Sequence, residues 1–164
     1  MSICMTRVDY RMIHGQVAGV WIPHFSATKV AIIDDQTNGN DLVKQVLIFA
    51  APHGCTVEFY DVVGGVAAYK EGKFDAGKVI VIFRDIHSAR RAYDEGFDYK
   101  SLNVGQTPRE EGMMHATATV FVTSDDMHDL IDLQNKGVYV YFRQEISKDE
   151  VKLDNVVNKL KDQL

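Results

Sequence analysis

Apolar residues recur along this chain with two alternating periods, and each change of period marks a new element. Ser2 to Met5 is a short apolar run of strand length, and after a polar segment Ile13, Val17, Val20 and Trp21 recur at helical spacing. Thr28 to Asp34 is a β-branched run that ends in acid. Asn40 to Ala51 is helical, with Leu42, Val43, Val46, Leu47 and Ala50 on one face. Pro52 and Gly54 end that helix, and Cys55 to Tyr60 is the next strand. A helix from about Val62 to Glu71 stops at Gly72. Lys78 to Phe83 is almost continuously apolar, as expected for a strand covered on both faces. Ile86 to Glu95 is a helix closed by Gly96, and Ser101 to Gly105 is a short strand. Gln106 to His115 reads as a loop with at most one turn of hairpin, and Ala118 to Thr123 as a strand. Ser124, Asp125 and Asp126 cap a helix running through Met127, Leu130 and Ile131 to Gly137, with the acids where the helix dipole favours them. Val138 to Phe142 is the last strand, and Leu153, Val156, Val157 and Leu160 form the stripe of a C-terminal helix.

Strands alternating with helices predict an α/β fold: a three-layer sandwich with a mainly parallel central sheet of about seven strands, helices on both faces and right-handed crossovers. With 164 residues, no repeat and no linker, the chain reads as a single domain over 1–164. Ligands of such sheets bind beyond the carboxyl ends of strands, at a switch point. The segment from Arg7 to Val17 leaves the first strand there.

Composition narrows the classes. Hydrophobic residues make up 46% and charged residues 25%, normal for a soluble globular protein. The net charge of −5, without a basic patch, argues against a nucleic-acid partner. Apolar runs such as Val79 to Phe83 are far short of a membrane span, and Met1-Ser2-Ile3-Cys4 lacks the basic start and cleavage site of a secretory signal. Cys4 and Cys55 fall in predicted strands without metal spacing, so both are expected to be buried free thiols. Asp34-Asp35 reads as a helix cap rather than a metal pair. Val63-Gly64-Gly65-Val66 lacks the spacing of a phosphate loop and reads as a tight strand-to-helix connection. No metal or cofactor is expected. Arg84, Arg90 and Arg91 read as plain surface cations, with a docking face as the alternative.

Chemistry concentrates in Arg7-Val8-Asp9-Tyr10-Arg11-Met12-Ile13-His14-Gly15-Gln16-Val17. A helix start offers free N–H groups and a favourable dipole to a phosphate. His14 and Gln16 fall off the apolar stripe, so His14 is placed to face solvent, and Gly15 leaves room beside its imidazole. Arg7 and Arg11 can each present a planar fork to phosphate oxygens. Asp9 can accept one imidazole N–H, fixing the tautomer and leaving the other nitrogen free to attack. A lone histidine at a helix start is more often a cap or a surface residue, and most arginines are merely solvated. It is the combination at a strand exit that points to phosphoryl transfer. The other histidines, His24, His53, His87, His115 and His128, read as surface or loop residues. A histidine-dependent small-molecule phosphatase is one competitor, but such enzymes commonly place Arg directly before His-Gly, where Ile13 stands here. A non-catalytic nucleotide- or flavin-binding module is another, and it needs a glycine-rich first turn.

These same residues carry a resemblance. Arg7-x-Asp9-x-Arg11-x-Ile13-His14-Gly15-Gln16-Val17 resembles the signature of the IIB component of the mannose/fructose/sorbose family of the bacterial sugar phosphotransferase system. Trp21, Ile33-Asp34-Asp35, Ala50-Ala51-Pro52, Asn103-Val104-Gly105 and Arg143-Gln144 extend the resemblance over nearly the whole chain. It implies a cytoplasmic protein, peripherally associated with a membrane permease, whose His14 takes phosphate from a IIA phosphodonor. The phosphate then passes to a sugar held by IIC and IID permease subunits. It implies roles for Arg11 in neutralising the phosphoryl group and for Asp9 in supporting the loop. Arg7, Gly15, Gln16, Asn103 and Gly105 are implied to line the phosphate and partner site. It also implies Nδ1 as the acceptor atom, a choice the residues alone do not make. Val8, Tyr10 and Met12 depart mildly from the family pattern, and Gln106-Thr107-Pro108 replaces its second glycine. The identity of the sugar, whether mannose, fructose, sorbose or an amino sugar, and the existence of a homodimer are left open.

Overall fold

A computed structural model describes residues 2–164; Met1 lies outside the described residues. The chain opens with β1 (Ile3–Asp9), passes a turn into a π-helical segment (Val17–Trp21) that continues as α1 (Ile22–Phe25), and returns as β2 (Lys29–Ile33). Then follow α2 (Asp35–Asn38), α3 (Asp41–Ala50), β3 (Thr56–Tyr60), α4 (Val62–Lys70), β4 (Val79–Phe83), α5 (Ile86–Asp94) and β5 (Ser101–Gln106). A hairpin of β6 (Met114–Thr117) and β7 (Val120–Val122) precedes α6 (Ser124–Asn135), β8 (Tyr139–Phe142), β9 (Val151–Lys152) and α7 (Leu153–Leu160).

Seven strands form one sheet in the order β3-β2-β4-β1-β5-β8-β9, parallel except for β9. The expected α/β sandwich is therefore the fold. Alternation along the strands splits the core in two. Val79, Val81 and Phe83 of β4 join Ala31 and Ile33 against α4, α5, α6 and α7 on one face. Ile80 and Ile82 join Val30 and Ile32 under Val17, Trp21, Ile22 and Leu47 on the other. A strand buried on both faces must be apolar at every position, which explains the unbroken run in β4. From β1 the chain winds one way to β2 and β3, and later the other way to β5 and β8. The carboxyl end of β1, between β4 and β5, is thus a switch point.

Helix ends follow local chemistry. Asp34, Asn40, Asp61, Asp85 and Thr123 cap α2 to α6 with side-chain oxygens on free N–H groups. Gly72, Gly96 and Gly137 take positive φ just past α4, α5 and α6, as their positions in sequence suggested. Val63-Gly64-Gly65-Val66, read as a strand-to-helix connection, instead lies inside α4, and a Cβ on Gly65 would come within 2.8 Å of Ile33, so Gly65 permits close helix–sheet packing.

Several expectations need correction. The first strand does not stop at Met5 but runs on through Arg7 to Asp9, because those two charges neutralise each other inside the protein. Val20 is only half-buried, since the wider π turn brings Ile22 inward instead. On α3 only Val43 and Leu47 pack on the sheet, while Leu42, Val46 and Ala50 are exposed. β6 starts at Met114, within the last two residues of the segment read as a loop, and pairs with the shorter β7, while β9 adds an antiparallel edge strand that its two residues did not advertise. Cys4 and Cys55 are free but half-buried, and burial pushes both thiols up from their ordinary value.

Candidate functional site

Arg7 anchors the site from below. Its side chain is fully buried at the end of β1, and all five N–H donors are used. Nε and Nη2 donate to Asp9 Oδ2 at 3.2 and 3.1 Å, and Nη1 donates to Asn103 Oδ1 at 2.7 Å. Nη1 and Nη2 also donate to the main-chain carbonyls of Arg143 at 3.0 Å and Gln144 at 3.2 Å. Burial pulls the guanidinium down from its ordinary value and Asp9 opposes that shift. The Trp21 ring lies 5.7 Å from Arg7 Cζ and 5.9 Å from Arg143 Cζ, and its Nε1 donates to the Gln144 carbonyl at 2.9 Å. The fork expected to meet phosphate is thus already filled. Arg7 braces Asp9 and joins β1, β5 and the end of β8.

Asn103 and Gly105 take their places around Arg7, not at the surface. Asn103 is fully buried and also donates Nδ2 to the Arg143 carbonyl at 3.1 Å. A Cβ on Gly105 would lie 2.1 Å from Arg7 Cζ, so only glycine lets the guanidinium pass over β5. Gln106-Thr107 is fixed by local pairing. The Gln106 carbonyl accepts from Tyr10 N–H, and the Thr107 hydroxyl bridges the Phe121 main chain at 2.7 Å on both sides.

Asp9 hands this rigidity to the loop. Its Oδ1 accepts from Arg11 N–H at 2.9 Å, its carbonyl from Met12 N–H at 3.1 Å, and its Oδ2 from His14 Nε2 at 2.7 Å. Met12 takes φ 62°, in the left-handed region that a non-glycine residue enters at a cost of about 1–2 kcal/mol. Its buried side chain holds the turn, with Sδ accepting from the Thr37 hydroxyl at 3.5 Å.

The His14 side chain, expected to face solvent, is only 7% exposed because its ring packs in to meet Asp9. On its other edge Nδ1 has no hydrogen-bond partner among the described residues, and a Cβ on Gly15 would meet nothing within 4 Å. The N–H groups of Gly15, Gln16 and Val17 reach no carbonyl, the first such bond being Ala18 N–H to the His14 carbonyl at 2.7 Å. Free N–H groups at a helix start are where an anion is favoured. Arg11 is exposed and makes no side-chain bond. Gln16 keeps its Oε1 buried without a donor; an amide exchanges oxygen for nitrogen by a half-turn, so the same position can present N–H. Asp34 caps α2, and no cluster with metal-binding composition occurs among the described residues. The five remaining histidines are all exposed.

A family model described as the PTS system sorbose subfamily IIB component matches residues 3–164. The chain belongs to this family. Among its relatives is the sorbose-specific EIIB component of Lacticaseibacillus casei, 30% identical over 143 residues, with 87% of each chain covered. The mannose-specific EIIAB component of Escherichia coli K12 is 25% identical over 160 residues, covering 98% of this chain and 50% of the relative. The IIBSor domain of the sorbose permease from Klebsiella pneumoniae superposes with a TM-score of 0.90 at 26% identity, covering 97% of this chain and 98% of that one. Within this IIB chain, reading the residues did not foresee the carbonyls of Arg143 and Gln144 or the left-handed Met12. Main-chain acceptors carry no sequence signal, and a strained non-glycine residue shows only in φ.

Proposed function

We propose that the chain, as one IIB domain, is a phosphocarrier whose His14 Nδ1 takes phosphate from a phosphohistidine on a IIA partner. The observation that carries this reading is the 2.7 Å bond from His14 Nε2 to Asp9, which leaves Nδ1 as the only ring nitrogen open to attack. In the forward step the Nδ1 lone pair bonds phosphorus while the donor's P–N bond breaks and its electron pair returns to the donor imidazole. Asp9 accepts the Nε2 proton's hydrogen bond throughout and stabilises positive charge on the phosphorylated ring. The free N–H groups of Gly15, Gln16 and Val17, with Arg11, receive the phosphoryl oxygens. The phosphate then passes to the hydroxyl of a sugar held by IIC and IID permease subunits, making a sugar phosphate and freeing His14. The mannose-specific relative joins A and B components in one name, which supports a IIA phosphodonor for this chain. No helix among the described residues is long and apolar enough to cross a membrane. A cytoplasmic place at the face of the permease follows from the proposed role.

Incubation with phosphorylated IIA and intact-mass measurement tests the reading. One phosphate that is acid-labile and base-stable is expected on the native chain, and none on His14→Ala. Nitrogen-15 spectra of the labelled imidazole should report substitution at Nδ1. Undiminished uptake by His14→Ala would sink the assignment.

A further inference from the structure

The far end of β5 is held between the reactive loop and the β6–β7 hairpin. A single peptide unit, that of Gln106 and Thr107, makes the join. Its carbonyl accepts from Tyr10 N–H at 3.1 Å, on the residue before Arg11, and its N–H donates to the Thr119 carbonyl at 3.1 Å, in the turn of the hairpin. The preceding carbonyl, that of Gly105, accepts from the Thr119 hydroxyl at 2.9 Å. Gly105 is also the residue over which the Arg7 guanidinium passes. The buried Thr107 hydroxyl completes the joint. It donates to the Phe121 carbonyl and accepts from Phe121 N–H, both at 2.7 Å, so one side chain stands in for a main-chain pair. The hairpin forms a separate two-stranded sheet, and its hydrogen-bonded link to the end of β5 is made by one main-chain bond and these two threonine hydroxyls. The hairpin is itself rooted, because Ala116, Val120 and Val122 are buried in the core with Met127 of α6 and Val156 of α7.

We propose that the β6–β7 hairpin braces the reactive loop, and that Thr119 and Thr107 are positioning residues for phosphoryl transfer. The proposal rests on the phosphocarrier reading. The path is short. The hydroxyls fix two successive peptide planes at the end of β5, and those planes hold Tyr10 on one side and lie against Arg7 on the other. Tyr10 precedes Arg11, whose own N–H is held by Asp9 Oδ1 at 2.9 Å. Loosening the end of β5 therefore loosens both the chain that carries Arg11 and the Arg7–Asp9 pair that orients His14. Hydrogen bonds in series polarise one another, so the Gln106 carbonyl holds Tyr10 more firmly while Thr107 N–H has its own acceptor. Neither hydroxyl bonds to His14, Arg11 or the N–H groups of Gly15, Gln16 and Val17, so the effect runs through geometry alone. Where reacting atoms must align, a displacement of about 1 Å costs up to about 100-fold in rate.

The test uses the full chain with Thr119→Val, which keeps the shape and deletes the hydroxyl, with Thr119→Ser, which restores it, and with Thr107→Val. Thr56→Val is the control, since it deletes a like bond, from the Thr56 hydroxyl to the Thr28 carbonyl, at the far edge of the sheet. Labelling by phospho-IIA is followed over a range of donor concentrations, at a temperature where the variants are folded by circular dichroism. For Thr119→Val the rate at saturating donor should fall at least about fivefold, with the half-saturating concentration within about twofold of native. Thr107→Val should fall further, because it strands both Phe121 groups; if it does not fold, Thr119→Val decides alone. Thr119→Ser and Thr56→Val should match the native chain. A native saturating rate in Thr119→Val would overturn the proposal. An equal slowing in Thr56→Val would also overturn it, as a loss of general stability, and so would a rise in half-saturating concentration alone, which would make the hairpin a donor contact. Hydrogen exchange needs no phosphate. The Tyr10 and Arg11 amides should exchange at least about fivefold faster in Thr119→Val than in the native chain, and unchanged exchange would overturn the brace by itself. Failure of the native chain to be labelled would instead sink the phosphocarrier reading, which the exchange measurement does not touch.

Discussion

Arg7 and Arg11 stand four positions apart, carry the same side chain, and have opposite surroundings. Arg7 ends a strand between two neighbouring strands, is fully buried, and spends every donor on protein acceptors. Arg11 follows the turn of that strand, is exposed, and spends none of its side-chain donors. The contrast shows how the site divides its labour. A rigid, saturated cluster of Arg7, Asp9 and Asn103 fixes the histidine, and an edge of Nδ1, helix N–H groups and Arg11 is left unpaired, the edge that the proposed function assigns to the phosphoryl group.

The contrast can be broken most forcefully at Arg7. Arg7→Ala leaves Asp9 buried without its principal cation and the Asn103, Arg143 and Gln144 acceptors without donors. A loss of about 3–5 kcal/mol in denaturant unfolding is expected. Arg7→Lys should recover only part of it, because one ammonium cannot replace a planar fork. If Arg7→Lys unfolds like the native chain but transfers phosphate slowly, Arg7 is a phosphate ligand after all.

Gly105→Ala should act on the same cluster from the other side. Its methyl must displace a guanidinium carbon 2.1 Å away, at an expected cost of about 1–3 kcal/mol. A melting temperature equal to the native one would show that the cluster is looser than its geometry. The smallest structural effect belongs to Arg11→Ala, for which the melting temperature should hold. Phosphotransfer should slow at least about tenfold, as one charge-stabilising group is removed from the transition state. A native rate would remove Arg11 from the chemistry and leave the helix start as the sole phosphoryl cradle.

The order of elements was legible because a strand covered on both faces and a helix covered on one impose different apolar periods. That is why β4, α5 and α6 were placed almost to the residue, and why His14 at a strand exit stood out. The errors fell where periodicity ceases to report environment. β1 was cut short because Arg7 and Asp9 look like surface residues until they are seen to pair. β9 is too short to show a period. The α3 stripe mixed inward Val43 and Leu47 with outward Leu42 and Val46, since apolar character is the same whether a face meets the core or solvent.

By itself the sequence determined the α/β fold and the family, and it singled out the loop that the proposed function uses, because these rest on residue type and spacing along one chain. Only the tertiary structure decided which arginine is structural, which imidazole nitrogen is free and why Gly105 has no side chain. The first and third depend on atoms brought together from β1, β5 and the end of β8, 96 to 137 positions apart in the chain; the second rests on Asp9, only five positions from His14 but held in place by that cluster. Spacing within one segment cannot encode where a distant carbonyl or carboxamide will lie, and burial, which turns a solvated cation into a five-armed brace, exists only once the strands have packed.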